Sequence, residues 1–159
     1  MRAALGELAA SEAPPLGGVL DFMRLLWAVD HQLQAASKRM QSRLGVTGPQ
    51  RLALRIVGRF PGISAGRLAR VLHVHPSTLT GVLERLERRR LLRRWRDPRD
   101  ARRALFGLSE VGRSVDGERG QTIEKMVERA LARLPPERVK LAEEVLRAVA
   151  AELSSESGA

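Results

Sequence analysis

Nineteen residues, Arg85 to Arg103, read RLERRRLLRRWRDPRDARR and set ten arginines against three acids. Much of the chain's net charge of +10 is concentrated here. The centre of the run, Asp97-Pro98-Arg99-Asp100, has the composition of a turn. Short apolar runs flank it, Leu91 to Trp95 and Ala104 to Leu108, and read as two antiparallel strands. The stretch therefore commits the chain to a thin, basic β-hairpin placed directly after a helix. Such a ribbon suits a reader of polyanions. Phosphates attract its charge, and an arginine at its tip can enter a minor groove. The plain alternative is a solvated charge run, and the turn chemistry together with the helix upstream argues against it.

A chain of 159 residues makes one ordinary domain, or one domain with helical extensions. The apolar residues, 43% of the total, suffice for a core. They are mostly Leu, Ala and Val, with three Phe, two Trp and no Tyr. Stacking platforms for single-stranded nucleic acid are therefore scarce. All but three of the 28 basic residues are arginine, and their clustering matters more than their number. No cysteine is present, so disulfides, thiolate zinc sites and thiol redox sensing are excluded within these residues. The N-terminal MRAALGELAASEAPP does not read as a signal peptide, and no apolar run approaches membrane-spanning length. The expectation is a soluble, cytoplasmic protein with no membrane partner.

Residues 1–15 read as a ragged leader ending at Pro14-Pro15. A long helix follows from about Gly17 to Leu44 within a segment 16–45. Its first half is apolar on several sides, through Val19, Leu20, Phe22, Met23, Leu25, Leu26, Trp27 and Val29. Such a helix is either central in its own monomer or faces a partner chain, and the small size of the protein favours the partner. Gly45-Val46 breaks it. Thr47-Gly48-Pro49-Gln50 fits a capping box for a second helix reaching about Arg59. Ser64 is the expected N-cap of a short third helix, with Arg67 where the capping acid usually stands. After the turn His73-Val74-His75, Pro76 suits the first position of a fourth helix. Leu79, Val82, Leu83 and Leu86 form its buried stripe. Ser77, Thr78, Thr80, Gly81, Glu84, Arg85 and Arg88 lie on the other side. Beyond the hairpin, Ser109 caps a helix expected to continue, with interruptions at Gly112, Gly117 and Gly120, to about Leu134. Pro135-Pro136 opens a last helix, and Ser154 to Ala159 read as a disordered tail.

Two short helices joined by a tight turn, then a basic hairpin, compose a winged helix-turn-helix spanning 46–110. The fold class is mainly α with a small β component. Helical regions from both termini, 16–45 and 111–153, are expected to form a dimerisation region. The start of the second short helix fits a major groove, with hydroxyls and arginine forks within reach of base edges.

These residues carry a resemblance to the MarR family of dimeric bacterial transcription regulators. The wing Asp97-Pro98-Arg99-Asp100-Ala101-Arg102 is similar to the family's D-x-R-D-x-R. Leu86-Glu87-Arg88-Arg89-Arg90-Leu91-Leu92-Arg93-Arg94 is similar to L-E-x-x-G-L-(I/V)-x-R, and Leu108-Ser109-Glu110-Val111-Gly112 to L-T-x-x-G. Pro76-Ser77-Thr78-Leu79-Thr80 resembles the start of the recognition helix. The chain departs from the family where Arg90 replaces a glycine that ends the helix in a left-handed conformation. Arg90 must accept that conformation, at roughly 1 kcal/mol, or end the helix differently.

The resemblance implies a DNA-binding set of Ser77, Thr78, Thr80, Gly81, Arg85, Arg94, Arg96, Arg99 and Arg102. Arg99 would enter the minor groove, and Asp97 and Asp100, with Arg102, would brace the wing by ion pairing. It also implies double-stranded DNA and a second copy of the chain as partners, an inverted-repeat operator and repression. A small aromatic or anionic effector would act by release, with Trp27, His31 and Arg55 as candidate neighbours of its pocket. Nothing supports catalysis, a metal or a cofactor. His73-x-His75 reads as turn histidines rather than half a metal site, and Glu143-Glu144 point to different sides of a helix. Two other readings stay open: a sequence-neutral architectural DNA-binding protein, and a docking module.

Overall fold

The computed structural model describes residues 15–155. The expected leader, except Pro15, and the tail beyond Ser155 lie outside the described residues. Ser154 and Ser155, expected in that tail, are instead the last turn of a helix. Seven helices and three strands follow in the order α1 (Gly18–Leu44), α2 (Gly48–Arg59), β1 (Ile63–Ser64), α3 (Ala65–Leu72), α4 (Pro76–Arg88), β2 (Leu92–Asp97), β3 (Asp100–Leu108), α5 (Glu110–Gly117), α6 (Ile123–Leu131) and α7 (Pro136–Ser155). The molecule is mainly α with a β wing, as expected. Among the described residues no helix is long and apolar enough to cross a membrane.

The chain divides into two compact units at Ala35/Ala36. The first holds most of α1. Several of its apolar residues stand in solvent, with Val19 75% and Trp27 63% exposed, while Phe22 and Leu26 are half-buried. The second unit starts with the last turns of α1, where Ala36 and Met40 are buried, and runs to α7.

Local chemistry accounts for the helix ends. The capping box forms as expected: Gln50 N–H donates to Thr47 Oγ1 at 3.4 Å, and Thr47 N–H to Gln50 Oε1 at 3.0 Å. Ser64 caps α3 by accepting from Arg67 N–H. Leu79, Leu83 and Leu86 are the buried face of α4, with Val82 packed at their margin. Arg90 takes the first of the two routes open to it, with φ at 55°. Its N–H donates to the Glu87 carbonyl, and Leu91 N–H donates to the Leu86 carbonyl. That pair of bonds is the Schellman closure, built here on arginine rather than glycine.

The sheet has one strand more than the expected hairpin. β3 lies in the middle, antiparallel to β2 and to the two-residue β1, with Ile63 opposite Phe106. Gly62, at φ 84°, makes the turn into β1 and donates to the Phe106 carbonyl. The core of the unit joins Val46, from the connection between α1 and α2, to Leu54, Leu68, Leu83, Leu86 and Phe106, drawn from α2, α3, α4 and the sheet.

The helix expected from Ser109 to Leu134 is two helices. α5 ends at Gly117, and α6 starts at Ile123 with Thr122 as its cap. Between them Glu118 is extended and Gln121 has φ 49°. Gly112, expected as an interruption, stays helical for a packing reason. A Cβ there would meet the Leu91 carbonyl oxygen at 2.0 Å.

Candidate nucleic-acid interface

The wing is a two-stranded ribbon whose pairing runs from Leu92 opposite Leu108 to Asp97 opposite Asp100. Between Arg96 and Asp97 the register shifts, because Arg96 faces Ala104 while Asp97 faces Asp100. Ala101, Arg102 and Arg103 are thereby bulged, which sharpens the twist of the ribbon. The tip is held by its aspartates acting as backbone acceptors. Asp97 Oδ1 takes Arg99 N–H at 2.9 Å, and Asp100 Oδ1 takes Arg102 N–H at 3.1 Å. The ion partner of Asp97 is Arg103, at 3.9 Å, rather than the expected Arg102. The reason is the bulge, which changes which side chains stand beside Asp97.

The base of the wing is fixed by two aromatic contacts. The Arg94 guanidinium lies over the Phe106 ring, 6.0 Å from its centre, within cation–π range. Trp95 lies against Gly107, where a Cβ would come within 2.9 Å of the indole. A cleft of about 450 Å³ runs along the ribbon, lined by Arg94, Trp95, Arg96 and Arg102 among others. Arg85, Arg94, Arg96, Arg99 and Arg102 are exposed. Among the described residues none of the five enters a salt bridge. Apart from Arg94 over Phe106, their charge has no partner among the described residues.

Helix α4 presents Ser77, Thr78 and Thr80 to solvent, with Gly81 half-buried. The Thr80 hydroxyl donates to the Pro76 carbonyl at 3.0 Å, so what it offers outward is an oxygen acceptor and a methyl group. Gly81 is informative because the chain does not need it. A Cβ there would meet only the flexible end of Arg85, at 3.7 Å. A glycine in mid-helix with open space above it leaves room for the close approach of another surface.

The start of α4 also depends on a residue that sequence reading left in the turn. His75 is its N-cap, with Nδ1 accepting from Ser77 N–H at 3.3 Å and lying 2.7 Å from Ser77 Oγ. The signal was present, since the residue before a proline at the first helical position must cap with whatever acceptor it has. Arg51 was missed as well. It is 1% exposed, and its spacing from Leu54 already placed it on the buried side of α2. Its guanidinium meets Glu124 Oε1 at 2.7 Å and the carbonyls of Val115, Asp116 and Glu118. Burial pushes the Glu124 carboxyl upward, but its own backbone amide, the Arg51 hydrogen bond and charge, and Thr122 together outweigh this and hold it below the usual range. Arg55, expected beside an effector pocket, is tied to Asp116 Oδ1 at 2.9 Å. Trp27 and His31 belong to the first unit and are exposed.

Residues 44–103 match the model of the MarR family. Over 88 residues the chain is 31% identical to the organic hydroperoxide resistance transcriptional regulator of Bacillus subtilis (strain 168), a match covering 55% of this chain and 60% of that protein. The chain thus spans less than two thirds of the length of the curated relatives it matches. The structure of the PcaV transcriptional regulator from Streptomyces coelicolor, in complex with its natural ligand, is similar at a TM-score of 0.61 and 29% identity, covering 77% of this chain and 89% of that one. MepR from S. aureus, in a complex with DNA, shares the fold at a TM-score of 0.69 and 20% identity, over 83% of this chain and 97% of that one.

Proposed function

We infer that this chain, which belongs to the MarR family through residues 44–103, is a DNA-binding transcriptional regulator. In finer terms it is a homodimeric repressor that reads an inverted-repeat operator on double-stranded DNA. A small aromatic or anionic effector releases it. The observation that carries the reading is the set of five exposed wing and helix arginines without ion-pair partners, beside the exposed hydroxyls of α4 and the bare Gly81. Phosphates supply the negative counter-charge these arginines lack, and the grooves supply the acceptors.

The homodimer rests on apolar surface that the described residues leave uncovered. α6 and α7 bury none of their residues, although Leu141, Val145 and Leu146 are apolar and exposed. Two-fold pairing would set two recognition helices about 34 Å apart. The effector is supported by the ligand complex of PcaV. The chain has no cysteine, so any response to a hydroperoxide would need chemistry other than a thiol of its own.

The decisive experiment is mapping of bound sites across the genome, followed by titration of the recovered site against scrambled duplex at fixed salt. The regulator reading expects a specificity ratio of roughly 10³ or more. Affinity should fall about 10³–10⁵-fold between 50 and 200 mM salt if 6–10 phosphates are neutralised. A ratio near unity would identify a sequence-neutral architectural protein. No binding at all would identify a docking module.

A further inference from the structure

Residues 118–122 join α5 to α6, and three arginines from α1 and α2 grip this joint. Arg43 donates to the Gly120 carbonyl. Arg55 pairs with the Asp116 carboxylate at 2.9 Å. Arg51 takes the central place, donating to Glu124 Oε1 at 2.7 Å, to the Glu118 carbonyl at 2.6 Å, to the Asp116 carbonyl at 3.3 Å and to the Val115 carbonyl. None of the three belongs to the candidate DNA surface.

The chemistry of this arrangement leaves few alternatives. The last carbonyls of a helix have no partner within it. Here Arg51 takes those of α5, so the helix stops and the chain turns. Glu124 stands in the first turn of α6, where the positive end of the helix favours a carboxylate. Both sides of the joint therefore converge on the Arg51 guanidinium, with Arg55 Nε also 3.8 Å from Glu124 Oε1. That guanidinium comes from α2, whose Ala53, Leu54 and Val57 are in the core of the winged unit. The Arg51 side chain is 2% exposed, and a charge so buried is strongly destabilising if its partner is lost. The Arg51 guanidinium favours the charged carboxylate and helps to lower the Glu124 pKa. Beyond the joint, α6 and α7 bury none of their residues.

We propose that the Arg51–Glu124 pair is a positioning joint. It sets α6 and α7 against the DNA-reading unit and thereby sets the half-site spacing that a dimer accepts. The second consequence rests on the regulator reading; the first does not.

Two variants and two readouts test this. Glu124→Gln keeps size and an acceptor but removes the charge. Arg51→Lys keeps the charge but removes the fork. The absence of native cysteine allows clean spin labels at Glu84→Cys on α4 and Glu144→Cys on α7, both exposed. Diluting the labelled chain with excess unlabelled chain leaves only the distance within one molecule. The parent should give a narrow distribution, and each variant a broadened or shifted one at a temperature where its circular dichroism is native. Unchanged distributions in both folded variants overturn the joint, whatever the protein does with DNA.

The second readout is affinity for the mapped operator and for versions with one or two base pairs added or removed between half-sites. The parent should discriminate between spacings, and the variants should lose about 2–30-fold of that discrimination. A variant that is merely less stable would weaken on all duplexes alike and keep the ratio. An unchanged ratio alongside altered distances overturns the spacing consequence alone. Failure of the parent to bind any duplex overturns the regulator reading and that consequence with it, leaving the distance result to decide the joint.

Discussion

Leucine behaves in two ways in this chain. In the winged unit Leu54, Leu68 and Leu86 are 0% exposed. In the last helix Leu141 is 61% exposed and Leu153 68%. The difference is one of neighbours rather than of residue type. α2, α3, α4 and the sheet wrap around one another within about 60 residues of sequence and close a core. Among the described residues, α7 buries none of its own side chains. The winged unit closes its own core, while among the described residues the outer helices leave apolar side chains exposed.

The sharpest way to break this comparison is to make the same change in both places. Leu86→Ala should cost about 2–5 kcal/mol of stability, because it empties a closed core. Leu146→Ala should stay within about 0.5 kcal/mol when the chain is dilute enough to be monomeric. Urea melts under those conditions measure both. Equal costs would mean that the outer helices have a core of their own.

Leu146→Arg carries the contrast to assembly. A charge in the centre of an apolar contact should weaken the dimer about 30-fold or more, on the scale of an interface hot spot. The melt of the dilute chain should not move. Sedimentation equilibrium across micromolar concentrations reads the change, and a parent chain that is already monomeric there removes the homodimer from the reading.

Within the winged unit, the wing tip should contribute to binding and not to folding. Arg99→Ala should reduce the slope of log affinity against log salt by about 1, with stability unchanged within about 0.5 kcal/mol. A variant with parental affinity and slope, still folded and dimeric, would take the wing tip out of the interface.

Acid should act at the joint. The Glu124 pKa is lowered in the folded chain, so the unfolded chain binds the proton more readily. The contribution of Glu124 is therefore fully present above the ordinary glutamate range and is lost as pH falls through the lowered value. In Glu124→Gln this part of the acid dependence should vanish, as thermal melts from neutral to strongly acidic pH would show. Because the carboxylate is 39% exposed, solvent screening keeps the effect small.

The smallest effects come from exchanging residue types between two backbone sites. Arg90→Gly relieves a left-handed arginine and should stabilise by about 1 kcal/mol. Gly81→Ala removes a helical glycine that meets no obstacle, and should stabilise by about 0.5–1 kcal/mol. The two should part in DNA binding. Arg90→Gly should leave it nearly unchanged, and Gly81→Ala should weaken it, because the added methyl stands where DNA is proposed to approach. A Gly81→Ala chain with parental affinity would mean that this glycine has no interface role.

What the sequence determined by itself was what depends on neighbours within about four residues. Leu79, Val82, Leu83 and Leu86 announced α4 because a helix repeats every 3.6 residues. Thr47 with Gln50 announced the start of α2, because a cap is made by residues three apart. The resemblance left Arg90 two routes, a left-handed helix end or a different closure, and the backbone takes the first at φ 55°. The Asp-Pro tip announced the turn between β2 and β3. What only the tertiary structure decided was contact across long separations. β1 is two residues long and exists because Phe106, 43 positions later, supplies its hydrogen bonds. The break after Gly117 exists because Arg51, more than 60 positions earlier, takes the carbonyls that would have continued the helix. Asp97 pairs with Arg103 rather than Arg102 because a bulge shifted the register. Each of these was settled by which groups were left without a partner once the core had closed, and a backbone carbonyl or a buried guanidinium has no periodicity by which to declare its distant partner in advance.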